Sequence, residues 1–287
     1  MAADQPPVIP DVRRSFVEAR GVRFHVTEAG EGRPVVVLHG WPQHHYVYRD
    51  LLANPPEGLR IIAPDLPGYG WSGAAPHRWA KEDVVSDLLA LMDVMGLQKD
   101  VLLVGHDWGG WIGYRMVLRE PERFRGYLVF NMVHPWVPKS VVARHAWRLL
   151  AYQPLMATVG VPVLRRTRYL EWVLGNFSGM DRETVRVFSE RFRDPVVART
   201  AMETYRTFLL REIPAAARNP EVRRATVPIR AVFGVEDAAI HHSMAAAETA
   251  RADDYTLELV PGCGHFIVDD RSELVRQRLI ELDRETR

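Results

Sequence analysis

Short apolar runs recur along the chain at 35–38, 60–63, 101–104, 127–132, 229–233 and 257–260. Strands of a parallel sheet are covered on both faces, so they read as unbroken apolar runs rather than as alternation. Two alternating stretches precede them, around Phe16-Val17-Glu18 and over 22–27. With Gly21 between, they predict an N-terminal hairpin. Helical periodicity fills the gaps. Between 80 and 95, Val84, Val85, Leu88, Leu89, Met92 and Met95 share one face, and Gly96 marks the stop. The stretches 108–119 and 272–282 follow the same rule. Strand and helix alternating in this way predict a doubly wound α/β sheet.

The alternation breaks between 134 and 226. No strand pattern occurs there, helix-like stretches such as 140–150 and 196–210 do, and Pro135, Pro138, Pro154, Pro162, Pro195 and Pro214 punctuate it. A helical block between two buried strands predicts a lid over the carboxyl edge of the sheet, where α/β sheets bind ligands. The chain then divides into a first core part (1–133), a helical cap (134–226) and a second core part (227–287). Basic residues outnumber acidic ones two to one from 139 to 225. Solvated helix faces account for that excess. An anionic substrate or an acidic partner at the lid is the alternative.

Candidate chemistry concentrates after the run at 101–104. Gly105-His106-Asp107-Trp108-Gly109 joins that strand to the helical stretch that follows. Such a strand, tight turn and helix start make a nucleophile elbow, whose strained turn presents one side chain beside a helix N-terminus. The presented residue is Asp107. A carboxylate nucleophile forms an ester with an electrophilic carbon, which points to substrates such as epoxides or alkyl halides. Carbonyl attack would give a high-energy anhydride, and no Gly-x-Ser-x-Gly is present, so esterase chemistry is disfavoured.

Composition narrows the classes. The 287 residues, 47% hydrophobic and 25% charged, describe an ordinary globular chain. A net charge of +1 gives no bulk reason to expect nucleic acid or an anionic membrane. Cys263 is the single cysteine, which excludes an intrachain disulfide and fits a reducing compartment. The N-terminus lacks a leader pattern and no apolar stretch is long enough to span a bilayer, so a cytoplasmic location is expected. Asn176-Phe177-Ser178 matches a glycosylation acceptor by chance.

Taken together, the residues resemble the α/β-hydrolase-fold epoxide hydrolases over nearly the whole chain. His39-Gly40-Trp41-Pro42-Gln43 resembles their His-Gly-x-Pro signature, and Asp65-Leu66-Pro67-Gly68-Tyr69-Gly70-Trp71-Ser72-Gly73 their loop after the fourth strand. Gly105-His106-Asp107-Trp108-Gly109-Gly110 matches the family elbow, and Gly262-Cys263-Gly264-His265-Phe266 the segment bearing the histidine. The resemblance implies an α/β-hydrolase fold, a mostly parallel sheet with an inserted helical lid. It implies Asp107 as nucleophile, His265 as the base that activates water, and Asp237 as the acid that orients it. Glu236 is the fallback acid.

The same resemblance implies an oxyanion hole from the backbone N–H groups of Trp41 and Trp108, with a cis bond before Pro42. His39 is expected to brace its loop. Tyr152 and Tyr205, from the lid, would protonate the leaving alkoxide, with Tyr169 in reserve. A core aromatic is the competing reading of Tyr205. The pocket is expected to be largely apolar, lined by Trp41, Pro42, Trp108 and Trp136.

The implied reaction adds water to a small apolar epoxide without cofactor or metal, in a monomer or homodimer. Haloalkane dehalogenases share the nucleophile, histidine and acid, and are the rival; there Trp108 would hold the halide, with Trp41 or Trp136 helping. A fold without activity, used for binding, is disfavoured because Asp107, Asp237 and His265 are all present. Gly68-Tyr69-Gly70-Trp71-Ser72-Gly73 mimics a dinucleotide fingerprint but opens no helix. The adjacent pairs His44-His45 and His241-His242 are expected to diverge, which argues against a metal. Cys263 is expected to fill a turn.

Overall fold

The computed structural model describes residues 5–246 and 251–287; residues 1–4, part of the segment read as leader-free, lie outside them. Arg20 and Gly21 both have positive φ (47° and 77°), the two-residue turn whose twist suits a hairpin. They join β1 (Arg13–Ala19) to β2 (Val22–Gly30). Then follow β3 (Arg33–Leu38), β4 (Leu59–Pro64), β5 (Val101–His106), β6 (Phe124–Phe130), β7 (Ile229–Gly234) and β8 (Tyr255–Val260). They form one sheet in the order β1-β2-β4-β3-β5-β6-β7-β8. β2 pairs antiparallel with both β1 and β4, and every later neighbour is parallel. This is the mostly parallel α/β-hydrolase sheet.

The unbroken apolar runs have the expected cause. Side chains of successive strand residues point to opposite faces, and both faces are covered. On β3 and β5, Val36, Leu38 and Leu103 pack into one core layer, while Val35, Val37, Leu102 and Val104 pack into the other. Truncating the fully buried Leu103 to alanine would cost about 2–5 kcal/mol. Helices Lys81–Val94 and Trp108–Arg119 pack against each other, and the second also packs on β5.

Between β6 and β7 the described residues form no strand. They form helices Lys139–Leu150, Gln153–Arg166, Tyr169–Phe177, Arg182–Arg191, Pro195–Thr207 and Ile213–Arg218. The helix expected over 196–210 starts at Pro195, where Asp194 accepts from the Val196 and Val197 N–H groups. Its regular part ends at Thr207. There the Phe208 N–H is shared between the Thr204 and Tyr205 carbonyls, and the chain widens into a π turn over Phe208–Glu212.

The carboxyl ends of β3, β5, β6, β7 and β8 all lead toward one place. Trp41 follows β3, Asp107 follows β5 directly, Asn131 follows β6, and Asp237 and His265 lie in the turns after β7 and β8.

Candidate active site

Asp107 has φ 49° and ψ −123°, a conformation that L side chains rarely adopt. The surrounding glycines let the backbones come close enough to hold it there. A Cβ on Gly109 would lie 2.3 Å from the Leu38 carbonyl oxygen, and one on Gly40 would lie 2.4 Å from Asp107 Cβ. The Trp41 N–H donates to Asp107 Oδ2 over 2.8 Å. Burial raises the Asp107 pKa, and the neighbouring His265 and the Trp41 and Trp108 N–H groups oppose that rise by favouring the carboxylate.

His265 Nδ1 donates to Asp237 Oδ2 over 2.7 Å, and its Nε2 stands 3.7 Å from Asp107 Oδ1. Burial alone would lower the imidazole pKa. The Asp237 charge and hydrogen bond, with the Asp107 charge, outweigh it and hold the pKa up at about 9. Asp237 is itself buried. Burial favours its neutral form, yet its pKa is lowered by His265, by the Ile240 N–H (2.9 Å) and by the Asn131 amide (2.7 Å). Glu236 is exposed, and it is Asp237 that reaches the ring.

Asn131 was not singled out in the sequence. It adopts φ 43° just past β6, donates to Asp237 Oδ2 and to the Gly264 carbonyl (3.1 Å), and accepts from the Gly234 N–H (3.0 Å). It thus binds the acid's turn to the histidine's turn. A polar amide inside the run 127–132 was the available signal. His106 also supports the histidine loop, through a 2.8 Å bond from its ring Nε2 to the His265 carbonyl. Its pKa is depressed to about 3 by burial, so the ring is neutral. His39 braces its loop as expected. Its Nδ1 donates to the Gly40 carbonyl and its Nε2 accepts from the Leu66 N–H, and burial lowers its pKa to about 4.

A cavity of about 560 Å³ opens above Asp107, and Trp41, Tyr152, Tyr205, Tyr169 and His265 line it. Tyr152 stacks on Trp41 with ring centroids 5.9 Å apart, and Tyr205 meets the same indole edge-on at 5.3 Å. The two tyrosine rings lie 5.6 Å apart. Both hydroxyls have raised pKa values, first through burial; the Asp107 charge comes next at Tyr152, and Tyr152 and then Asp107 at Tyr205. Both therefore stay protonated at neutral pH. The Trp108 indole opposes part of the Tyr205 rise without reaching hydrogen-bond geometry.

Four expectations need correction. Trp136 does not line the cavity: its indole N–H donates to the Arg223 carbonyl (3.1 Å) and its ring packs on Tyr114 and His134. Pro42 does not line it either. The turn closed by the Gln43 N–H on the Gly40 carbonyl tucks it inward, with the Trp41–Pro42 bond cis as expected. The Trp108 ring backs Tyr205 and Phe208 instead of facing the cavity, with the Lys81 ammonium 4.3 Å from its centroid. His241 and His242 do not diverge; their rings stack at 4.2 Å because both sit in an irregular turn. The cavity wall is largely apolar, and Arg148, Asn176, Ser178 and Asp270 add polar groups to it.

Among the described residues, one cluster has metal-ligating side chains close together: His25, His45 and Asp65, all buried. Its donor set does not fit a cation. Asp65 accepts from His25 Nδ1 (2.8 Å), His45 Nδ1 (2.9 Å), the His45 N–H (2.8 Å) and the Trp71 N–H (2.9 Å). Those bonds use all four acceptor positions of a carboxylate. The cluster ties the loop after β3 to the loop after β4, which holds Trp41 in place. Cys263 is buried, and its thiol pKa is pushed up to about 11 by burial and by Asp270, so it is inert as a nucleophile.

The chain is similar to several known proteins. Epoxide hydrolase 4 of Mus musculus is 36% identical over 137 residues, 46% of this chain and 38% of that protein. Haloalkane dehalogenase 2 of Mycobacterium bovis is 25% identical over 284 residues, 96% of each. The crystal structure of the epoxide hydrolase VrEH1 from Vigna radiata superposes with a TM-score of 0.82 at 23% identity, covering 98% of this chain and 100% of that one. The alpha/beta hydrolase fold family matches residues 33–272, most of the sheet together with the helical insertion. With that match and this topology, the chain belongs to the alpha/beta hydrolase fold family.

Proposed function

We propose that this protein is an epoxide hydrolase acting through an ester on Asp107. One observation carries the reading: Asp107 and two protonated tyrosines, Tyr152 and Tyr205, face the same cavity. Asp107 Oδ2 is engaged by the Trp41 N–H, which leaves Oδ1 to attack a ring carbon. The carbon–oxygen bond of the ring breaks, and the departing oxygen takes a proton from a tyrosine. The ester's carbonyl oxygen is then Oδ2, which the Trp41 N–H already holds and to which the Trp108 N–H is the second donor of the proposed hole.

Esterification removes one of the negative charges that keep the proton on His265. The imidazole then loses its proton more easily and becomes the base for water, which attacks Cγ of Asp107. The proton released restores the tyrosine. Collapse of the oxyanion breaks the bond between Cγ and the alkyl oxygen, which takes the proton that His265 drew from water; the vicinal diol leaves, and the new carboxyl group returns its proton to His265. The helices between β6 and β7 act as a lid that supplies both tyrosines. Relatives named as epoxide hydrolases, with the same fold, support this reading.

One observation favours a second reading. The indole N–H of Trp41, which lines the cavity, is buried without a hydrogen-bond partner, as a donor awaiting a halide would be. A relative named as a haloalkane dehalogenase accompanies it.

A panel of epoxides and haloalkanes, assayed for both diol and halide, separates the two. Mass spectrometry of a His265→Gln variant should show an adduct of one whole epoxide on Asp107. Diol production with that adduct supports the proposal. Halide release alone, or no adduct across the panel, overturns it.

A further inference from the structure

The helical insertion begins with a stretch unlike the rest of the chain. From Lys139 to Arg168 the charged residues are Lys139, Arg144, Arg148, Arg165, Arg166 and Arg168, with no carboxylate among them. The net charge of +1 over the whole protein conceals this local excess. The same stretch turns apolar side chains outward. Helix Lys139–Leu150 has no fully buried residue, and its exposed face carries Lys139, Ser140, Ala143, Arg144, Trp147 and Leu150. Trp147 is 65% exposed and Leu150 58%. Leu155 and Val159, one turn apart on the next helix, are exposed as well.

Helix Tyr169–Phe177 continues the surface, with the exposed rings of Trp172 and Phe177 in contact at 5.7 Å. Leu155, Trp172 and Phe177 also line the cavity above Asp107. Part of the exposed apolar surface therefore borders the cavity, beside Arg148, Glu236 and Asp270.

We propose that this face docks peripherally on an anionic lipid bilayer, with the cavity mouth against the lipid. Tryptophan and leucine beside arginine is the side-chain chemistry of a helix lying in a membrane interface, and Glu171, the first carboxylate after the stretch, is already paired with Arg168 and Arg193. The apolar groups enter the headgroup boundary while the guanidinium groups meet phosphate. A second copy of this chain is a poorer occupant. A two-fold interface would set the acid-free cationic stretch against itself, and like charges repel. An acidic protein would satisfy the arginines but not the tryptophans. No helix among the described residues is long and apolar enough to cross a membrane, which suits docking rather than insertion.

The test uses the full chain with vesicles of phosphatidylcholine alone and vesicles containing roughly a third phosphatidylserine, measured by cosedimentation. Binding should be at least ~10-fold tighter to the anionic vesicles and should weaken at high salt, as screening shortens the reach of the charges. The Arg144→Gln/Arg165→Gln/Arg166→Gln variant should lose the preference for anionic lipid. The Trp147→Ser/Leu150→Ser variant should lose binding to both vesicle types. Both should keep the unfolding midpoint of the parent. Absent binding, equal binding to the two vesicle types, or binding unchanged in both variants overturns the proposal. So does a dimer in sedimentation that Trp147→Ser dissolves, since the face would then belong to a second copy. None of these readouts depends on the substrate.

Discussion

His265 Nε2 stands 3.7 Å from Oδ1 of Asp107, too far for a strong hydrogen bond and close enough for the charges to interact. The imidazole is therefore held by Asp237 and only biased by Asp107. That asymmetry fits a base that must act after Asp107 has become an ester and lost its charge.

This relationship predicts different pH dependences for the two chemical steps. Free His265 has a pKa of about 9, partly because Asp107 is charged. Hydrolysis of the ester, followed in single-turnover experiments, should rise with pH with an apparent pKa below that of the free enzyme. An equal or higher value would show that Asp107 does not bias the imidazole.

Stability should follow the same proton. The His265 pKa is raised from 6.5 to about 9 on folding, so the folded state binds more protons between those values. The stabilisation is fully present below about pH 6.5 and is lost as pH rises through about 9, on the order of 3 kcal/mol in total. Urea unfolding across that range should show stability falling with pH in the parent and a flatter profile in His265→Gln. Parallel slopes in both proteins would refute the assignment.

In the proposed reaction Tyr152→Phe and Tyr205→Phe each remove one donor to the departing oxygen. Each should slow epoxide opening by about 10²–10⁴-fold, and the double variant should be slower still. Halide release, if any occurs, should change far less. Equal losses on epoxide and haloalkane would mean that the rings act only through packing.

Asn131→Ala removes a hydrogen bond to a buried, charged Asp237 and unties the two turns. A lost bond of this kind is worth about 1.5–3 kcal/mol, so kcat should fall ~10–100-fold. Asn131→Asp should do more damage, because a second carboxylate would face Asp237. A rate equal to the parent's for Asn131→Asp would remove Asn131 from the positioning of the acid.

Gly40→Ala places a methyl group 2.4 Å from Asp107 Cβ. The nucleophile must shift or the loop must move, at a cost of about 1–3 kcal/mol in stability. Activity should fall further than that cost accounts for. Calorimetry with single-turnover alkylation would check this, and unimpaired alkylation would contradict the packing argument.

The sequence by itself determined the order of strands and helices, the glycine turn that carries Asp107, and the histidine after β8. Those features are local: an apolar run, a helical period and glycines at a strained turn are each written within about twenty residues. Its resemblance to a family placed Asp237, Tyr152 and Tyr205, and the fold brings both tyrosines to one cavity and sets Asp237 behind its wall, on His265. Tertiary structure alone decided which side chains face that cavity. Trp136 and Trp108 carry the same ring as Trp41, yet one is drawn to the Arg223 carbonyl and the other lies beneath Tyr205. Asn131 joins turns that lie over a hundred residues from it in the chain. Such contacts depend on where loops from five strand ends converge, and no periodicity records that convergence.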